Sequence, residues 1–482
     1  MNSKSKVISS LVWKFLERVC AQAVNLVVSI ILARLIAPEQ YGVIALTTIF
    51  ITISNVFVES GLGTSLIQKK NADSKDFSTV FYCNIIMSII MYLVIFFTAP
   101  LAAKFYSSPI LTPVLRVLGI TVLIAGVKSI QCSYVSKNMM FKKFFVSTFI
   151  GTVISAVIGI WMAYNGYGVW SLVVQQLSNT LFDTIILWIT VKWRPTLEFS
   201  FKRLKVLYGF GWKMLCSSLI DTVYNEIYGL SIGKIYTTEQ LAYYNRGNQF
   251  PKLITVNIDG SISSVMLPTL SKEQDNKQKV KNMMRRAIKT SSFLLFPLMI
   301  GLAVVAKPLV SILLTDKWLP AVPLMQLLCF SYMLWPIHTI NLQAINALGR
   351  SDIFLKLEVI KKIIGVTVLI ISIPFGIKFM VFMKIITSII STFINSHPNK
   401  RLVDYSYMEQ ITDILPSLFV SVFMGIIVYM MNLLPISSIL ILIIQILLGI
   451  VIYIVLSYAF KLEAFRYIID SIKLKLKKRK AS

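Results

Sequence analysis

Long apolar segments, separated by short polar connectors, follow one another along the chain to about residue 460. A helix needs about 20 mostly apolar residues to cross the hydrocarbon core of a bilayer. Windows of that length predict fourteen crossing helices, near residues 12–37, 41–66, 78–103, 111–135, 144–164, 168–191, 207–233, 238–269, 287–306, 320–348, 353–376, 378–396, 411–432 and 436–460. A helix pairs its backbone groups within its own segment, as lipid requires. The sequence therefore predicts an all-α polytopic integral membrane protein.

Basic residues return in alternate connectors between these segments. The segments rich in Lys and Arg are those with Lys4 and Lys6, Lys69 to Lys75, Lys137 to Lys143, Lys192 to Lys205, Lys272 to Lys289, Lys400 and Arg401, and the tail from Lys473 to Lys480. The intervening connectors are poor in Lys and Arg, and 164–168 and 432–435 contain neither. Cytoplasmic loops of membrane proteins carry such an excess. Both termini are therefore predicted to lie in the cytoplasm, which requires an even number of crossings.

The connector at 192–206 contains Pro195 and separates the first six predicted helices from the next six. The predicted organisation is an N-terminal six-helix lobe at 1–191, a cytoplasmic linker at 192–206, a second six-helix lobe at 207–398, two extra crossing helices at 399–460 and a basic amphipathic cytoplasmic tail at 461–482. Apolar residues recur at helical spacing in the tail, which favours a helix on the inner leaflet. A solvated charged tail is the alternative.

Composition supports a membrane protein and argues against nucleic-acid binding. Hydrophobic residues form 56% of the 482 residues, charged residues form 14%, and the mean hydropathy is +0.74. A soluble domain has about a quarter charged residues. Basic loops that face anionic lipid headgroups explain the net charge of +27. We therefore expect membrane lipids, and no nucleic acid, among the partners.

The connectors are too short for a soluble catalytic or nucleotide-binding domain, so neither an enzyme nor a cofactor is expected. The segment from Gly229 to Ile235 differs from a P-loop, because only three residues separate its glycines and Ile235 replaces the Ser or Thr that binds magnesium. A small-xxx-small helix contact explains it better. No histidine–carboxylate cluster has metal-ligand spacing.

Charged and polar side chains share one face of three predicted helices, since residues three and four apart are neighbours. A charge at mid-bilayer costs roughly 2.5–3.5 kcal/mol on insertion scales, so such residues usually face a cavity or a partner. The stripes are Lys14, Arg18, Gln22, Asn25 and Ser29 with Glu17 on the first helix; Lys213, Ser217, Asp221, Asn225 and Tyr228 with Glu226 on the seventh; and Asn245, Gln249, Lys252 and Asp259 with Arg246 on the eighth.

Each stripe has an alternative interpretation. Arg18 lies about 9 Å inside the cytoplasmic end of its helix, so its side chain could snorkel to the interface. Asp221 and Glu226 are too deep for that, and the alternative there is an ion-pair network that only joins the seventh and eighth helices. Glu59 is most simply an interfacial carboxylate. His338 is more simply a hydrogen-bonded core group than a proton relay.

Together the stripes predict a cavity between the two lobes that is cationic in parts and contains a few carboxylates. Guanidinium and ammonium groups pair with phosphate oxygens, so a diphosphate or an acidic sugar would fit. Carboxylates in it could bind a coupling proton or sodium ion. Six plus six helices with a site near the midplane is an alternating-access layout.

Several motifs resemble those of the polysaccharide-repeat flippases (the Wzx or polysaccharide transporter type) of the multidrug, oligosaccharidyl-lipid and polysaccharide exporter superfamily. They are Ala33 to Gly42, Glu59 to Gln68, Tyr243 to Arg246 with Leu267 to Ser271, Lys317 to Pro323, and Ala347 to Arg350. The similarity extends from about residue 8 to 400. Each motif is loose, whereas their order and spacing together are fairly specific.

The resemblance implies two six-helix lobes plus two helices. It also implies translocation of undecaprenyl-diphosphate-linked oligosaccharide across the bacterial cytoplasmic membrane, for O-antigen, capsule or exopolysaccharide synthesis. In this family the first, second, seventh and eighth helices line the central cavity, and Arg34 and Glu59 fall in family motifs. A polysaccharide polymerase and other assembly proteins would be its protein partners.

The candidate site has two groups of residues. The predicted substrate-binding residues are Lys14, Arg18, Asn25, Arg34, Lys213, Arg246, Gln249 and Lys252. The predicted ion-coupling or charge-tuning residues are Glu17, Glu59, Asp221, Glu226 and Asp259. A small-molecule or drug antiporter is an alternative function, although it would favour an acidic, aromatic cavity. A polymerase or ligase would need a large outer catalytic loop, and a purely structural partner would not need charges at mid-membrane.

Overall fold

The computed structural model describes residues 3–59 and 61–480. Within these ranges it describes the side chains of all residues except 3–12, 14–19, 210, 471–472 and 474–480. The described chain is helical, with 3-10 turns and no strand. It divides into two compact units, residues 1–242 and 243–482.

The first unit contains nine helices of the described chain and the start of the tenth. They are α1 (Ser3–Leu35), α2 (Pro38–Glu59), α3 (Leu62–Gln68), α4 (Ser74–Phe105), α5 (Leu111–Leu118), α6 (Ile120–Lys137), α7 (Phe141–Tyr164), α8 (Val169–Thr190) and α9 (Phe201–Ile235). Helix α7 packs along both α1 and α8. Side chains add hydrogen bonds between helices: Lys143 Nζ of α7 donates to the Thr190 carbonyl of α8 at 2.6 Å.

The second unit holds most of α10 and all later helices. They are α10 (Thr238–Lys272), α11 (Lys277–Leu314), α12 (Ala321–Met333), α13 (Trp335–Ala347), α14 (Ser351–Ser372), α15 (Ile377–Val403), α16 (Tyr407–Met430), α17 (Ser438–Ala459) and α18 (Glu463–Lys480). Helix α11 lies against α12, α16 and α17. A buried amide cluster joins three helices, because Asn341 of α13 exchanges hydrogen bonds with Gln410 of α16 and accepts one from Asn399 of α15.

The prediction of an all-α polytopic membrane protein is confirmed. In the described residues, 11 helical segments are long and apolar enough to cross a bilayer, and Cys20–Leu35 of α1 forms a shorter apolar stretch. Helices α9 and α14 fall outside that set, and both carry several charged residues. The count of fourteen crossings and the cytoplasmic location of both termini stay predictions.

Two predicted segments are interrupted where the sequence pattern suggested continuous helices. The segment at 111–135 is divided at Gly119, a residue with low helix propensity. The segment at 320–348 is divided at Leu334, just before Trp335 and Pro336. Proline has no backbone N–H and is accepted in the first turn of a helix, so Pro336 favours a new helix start.

The connector at 192–206 is attached to the first unit. Trp193 stacks on Tyr134 with ring centroids 6.0 Å apart, and the Thr196 amide donates to Ser78 Oγ at 2.9 Å. Arg203 Nη1 donates to Asp73 Oδ1 at 2.5 Å, and this bond lowers the pKa of Asp73 to about 2. The lobe boundaries at 191 and 207 stay predictions, while the compact units divide after Ala242.

Glycines allow α2 and α9 to pack closely along their length. A Cβ at Gly233 would lie 2.5 Å from Leu46 Cδ2, and one at Gly229 would lie 2.7 Å from Ile49 Cδ1. The predicted small-xxx-small contact at Gly229 and Gly233 is therefore confirmed. In lipid the hydrophobic effect does not drive helices together, so their association depends on close packing, which small residues permit.

Candidate functional site

The polar stripe of α9 is exposed along much of its length. Lys213, Ser217, Asp221 and Asn225 are exposed, whereas Tyr228 is buried and Glu226 is half-buried beside Gly229. Asp221 lies about 30 Å from the start of α9, at ~1.5 Å per residue, close to the middle of the helix. An exposed carboxylate at that depth would be costly against lipid, which favours an aqueous cavity on this face.

The predicted residues of α1 and α2 occupy exposed positions where the structure describes them. Asn25 is exposed on α1, Arg34 is exposed at its end, and Glu59 is exposed at the end of α2. The side chains of Lys14, Glu17 and Arg18 lie outside the described residues.

The sequence interpretation missed an ion pair in the first unit between a half-buried lysine and a buried aspartate. Lys128 Nζ of α6 donates to Asp183 Oδ2 of α8 at 2.5 Å. The Asp183 residue is 6% exposed. Both residues lie inside predicted crossing segments, so the cost of an intramembrane charge was a sufficient signal to find them.

On α10 the structure brings Arg246 and Gln249 together. Arg246 Nη1 donates to Gln249 Oε1 at 2.7 Å, and the guanidinium lies 5.2 Å from the ring centroid of Trp318. Arg246 is buried with 8% exposure, while Lys252 is exposed. Arg246 is therefore oriented by an aromatic ring and an amide, and Lys252 is the more accessible cation of this helix.

Asp259 of α10 is connected to α13 by a side-chain hydrogen bond. Thr339 donates a hydrogen bond to Asp259 Oδ1. The adjacent His338 lies with Nε2 3.3 Å from Ser388 Oγ and Nδ1 3.2 Å from Asn395 Nδ2, both on α15. These contacts agree with a hydrogen-bonded core histidine.

Lys384 is a further cation that the sequence interpretation missed. Its ammonium donates to Tyr244 Oη at 3.2 Å and lies 5.8 Å from the ring centroid of Tyr332. Tyr244 belongs to the Tyr243 to Arg246 motif, so this motif supplies one of the residues that contact the Lys384 ammonium. Within the described residues, no group of three or more His, Cys, Asp or Glu is arranged to hold a metal ion.

A family profile described as "Polysaccharide biosynthesis protein" matches residues 31–323, which is more than half of the chain. The chain is 24% identical over 451 residues to the lipopolysaccharide biosynthesis protein WzxC of Escherichia coli K12, covering 89% of each. It is 22% identical over 353 residues to the teichuronic acid biosynthesis protein TuaB of Bacillus subtilis, covering 72% of each.

Solved structures share the fold. The lipid II flippase MurJ in an inward closed conformation superposes with a TM-score of 0.74 at 17% identity, over 96% of this chain and 100% of that one. An inward-facing multidrug MATE transporter gives a TM-score of 0.62 at 14% identity, over 80% of this chain and 96% of that one. At these identities the likeness establishes the architecture alone.

Proposed function

This chain belongs to the polysaccharide biosynthesis protein family, and we propose that it is a flippase that moves lipid-linked oligosaccharide repeat units across the bacterial cytoplasmic membrane. The observation that carries the proposal is the exposed polar stripe of α9, with Lys213 and Asp221 inside a helix that the sequence predicts to cross the membrane. A helix that only anchored the protein would not need charged groups there. The names of the relatives, which concern cell-surface polysaccharides, support the same substrate class.

The cationic residues would bind the diphosphate or acidic sugars of the substrate. Lys213 and Lys252 are exposed and carry ammonium groups that pair with phosphate oxygens. Arg246 is held by Trp318 and Gln249, which would fix the direction of its guanidinium donors. Lys14, Arg18, Asn25 and Arg34 are proposed for the same task on α1.

The carboxylates would adjust the charge of the pathway or bind a coupling ion. This role is proposed for Glu17, Glu59, Asp221, Glu226 and Asp259. Asp259 is the best defined of these, because Thr339 orients one of its oxygens. The transported group undergoes no covalent change in this scheme, so we propose no catalytic residue and no cofactor. A polysaccharide polymerase and other assembly proteins are proposed partners that would receive the product.

A small-molecule antiporter is the second candidate function, supported by the MATE-like fold. It would favour an acidic, aromatic cavity. The exposed lysines of α9 and α10 favour an anionic substrate instead.

Transport in purified vesicles tests the function. The protein is reconstituted in liposomes that contain a fluorescent undecaprenyl-diphosphate oligosaccharide, and an impermeant quencher is added outside. We expect the labelled lipids of the inner leaflet to move to the outer leaflet, and be quenched there, only in vesicles with the protein. A probe that stays protected there, while a fluorescent cationic drug is transported, would favour the antiporter.

Lys213→Gln tests the proposed substrate contact. We expect the initial rate of lipid translocation to fall about tenfold, the equivalent of ~1.4 kcal/mol of lost interaction. Lys202→Gln is the matched control, because Lys202 is also an exposed lysine of α9 but lies in its first turn. Equal rates for the two variants would remove Lys213 from the site.

A further inference from the structure

The second unit contains a cleft that the proposed transport function does not use. It has a volume of about 180 Å³ and lies between α11, α16 and the turn that joins α17 to α18. Its polar lining comes from Lys289 of α11, Thr412, Asp413 and Ser417 of α16, and Lys461 and Glu463 of the turn and α18. Phe460 and Pro416 supply apolar walls.

Most charges at the base of the cleft are already paired. Lys289 Nζ lies 3.2 Å from Asp413 Oδ1 and 2.5 Å from Glu463 Oε2. Arg285 Nη2 lies 2.8 Å from Asp413 Oδ1, and Tyr405 donates to Asp413 Oδ2 at 2.8 Å. Asp413 is therefore held from three directions and forms a fixed base.

Lys461 adds a positive charge that this network does not neutralise. It is exposed and makes no ion pair among the described residues. The paired network of Arg285 and Lys289 with the two carboxylates is neutral, and Arg285 is not part of the cleft lining. Lys461 therefore gives the network and the cleft together a net charge of +1. A ligand with a single negative charge would neutralise it.

The cleft continues into an apolar strip on α16. Leu415, Phe419 and Phe423 follow at four-residue steps, and they are exposed by 48%, 63% and 46%. The Phe419 ring meets that of Phe460 with centroids 6.4 Å apart, at the border between strip and cleft. A cleft with one lysine outside the ion-pair network, beside an exposed apolar strip, matches a molecule with an anionic head and a hydrocarbon tail.

We propose that this cleft binds the phosphodiester headgroup of an anionic phospholipid. The phosphate oxygens pair with Lys461 and Lys289 and accept a hydrogen bond from the hydroxyl of Ser417. An acyl chain lies along the strip formed by Leu415, Phe419 and Phe423. The site is separate from the residues proposed to bind the transported substrate, so it is independent of the proposed function.

Native mass spectrometry of the full chain in detergent tests the site with phosphatidylglycerol as the probe. We expect retention of one phosphatidylglycerol molecule and a severalfold loss of that adduct in Lys461→Asn. Asparagine suits the test because Lys461 has φ +52, a conformation that asparagine tolerates well. Lys307→Asn, an exposed lysine on α11 outside the cleft, is the control.

Two further probes separate the sources of the phosphate chemistry. Phosphatidylethanolamine carries an ammonium that offsets the charge of its phosphate, so its adduct should be weaker than that of phosphatidylglycerol. Inorganic phosphate has no acyl chain, and it should not displace phosphatidylglycerol. Equal adducts for both lipids, displacement by phosphate, or equal loss in Lys461→Asn and Lys307→Asn would overturn the proposal. Matching thermal unfolding of the two variants shows that the comparison is between folded proteins.

Discussion

Lys128→Met is expected to destabilise the protein by about 3–5 kcal/mol, because it leaves the buried Asp183 carboxylate without its cation. Asp183 is 6% exposed, and its Oδ1 has no hydrogen-bond partner among the described residues. The Lys128 ammonium at 2.5 Å is therefore its main compensation. Thermal unfolding in detergent, followed by the loss of monodisperse protein, measures the effect.

The matched control is Lys75→Met. Lys75 pairs with Glu198 at 3.2 Å, and both side chains are well exposed. Such surface pairs contribute about 0–1 kcal/mol, so little change is expected. The double variant Lys128→Met/Asp183→Leu should regain most of the lost stability, since it removes both charges. Equal destabilisation by Lys75→Met and Lys128→Met would show that the Lys128–Asp183 pair contributes no more to stability than an exposed surface pair.

Gly42→Ala is expected to give the second large effect, a loss of about 3 kcal/mol from overpacking. A Cβ at Gly42 of α2 would lie 1.8 Å from the Thr238 carbonyl oxygen. The obstacle is backbone, so no rotamer change relieves it. The two helix ends would have to separate, and we expect lower thermal stability together with reduced transport.

Gly301→Ala is the control for this substitution. Gly301 lies inside α11, and a Cβ there meets nothing within 4 Å. Alanine is the better helix former by about 1 kcal/mol, so this variant should be neutral or slightly stabilised. Full stability of Gly42→Ala would mean that α2 and the start of α10 do not approach as closely as the structure shows.

The sequence predicted the membrane fold well because one physical requirement dominates it. Apolar windows long enough to cross a bilayer are visible in the sequence itself. Helix ends were less predictable, since α11 begins at Lys277, outside the apolar window at 287–306. Local chemistry caused the extension: Asn276 caps the helix by accepting from the Lys279 amide at 3.0 Å.

The candidate site was predicted only in part, because pairing depends on residues distant in sequence. Helical spacing found the exposed stripe of α9. It could not show that Arg246 is buried against Trp318, which belongs to a different segment. It also could not pair Lys128 with Asp183, which come from two separate crossing segments. The assignment of substrate and ion roles stays a prediction, and Lys213→Gln tests its substrate part.

The most direct test of the central claim is the sidedness of lipid-linked oligosaccharide in cells that lack this protein. An impermeant reagent applied to spheroplasts labels only the repeat units on the outer face. The flippase account predicts that the lipid-linked repeat accumulates on the inner face, and that expression of the intact protein restores its labelling. If unpolymerised repeat already reaches the outer face without the protein, translocation is not its function.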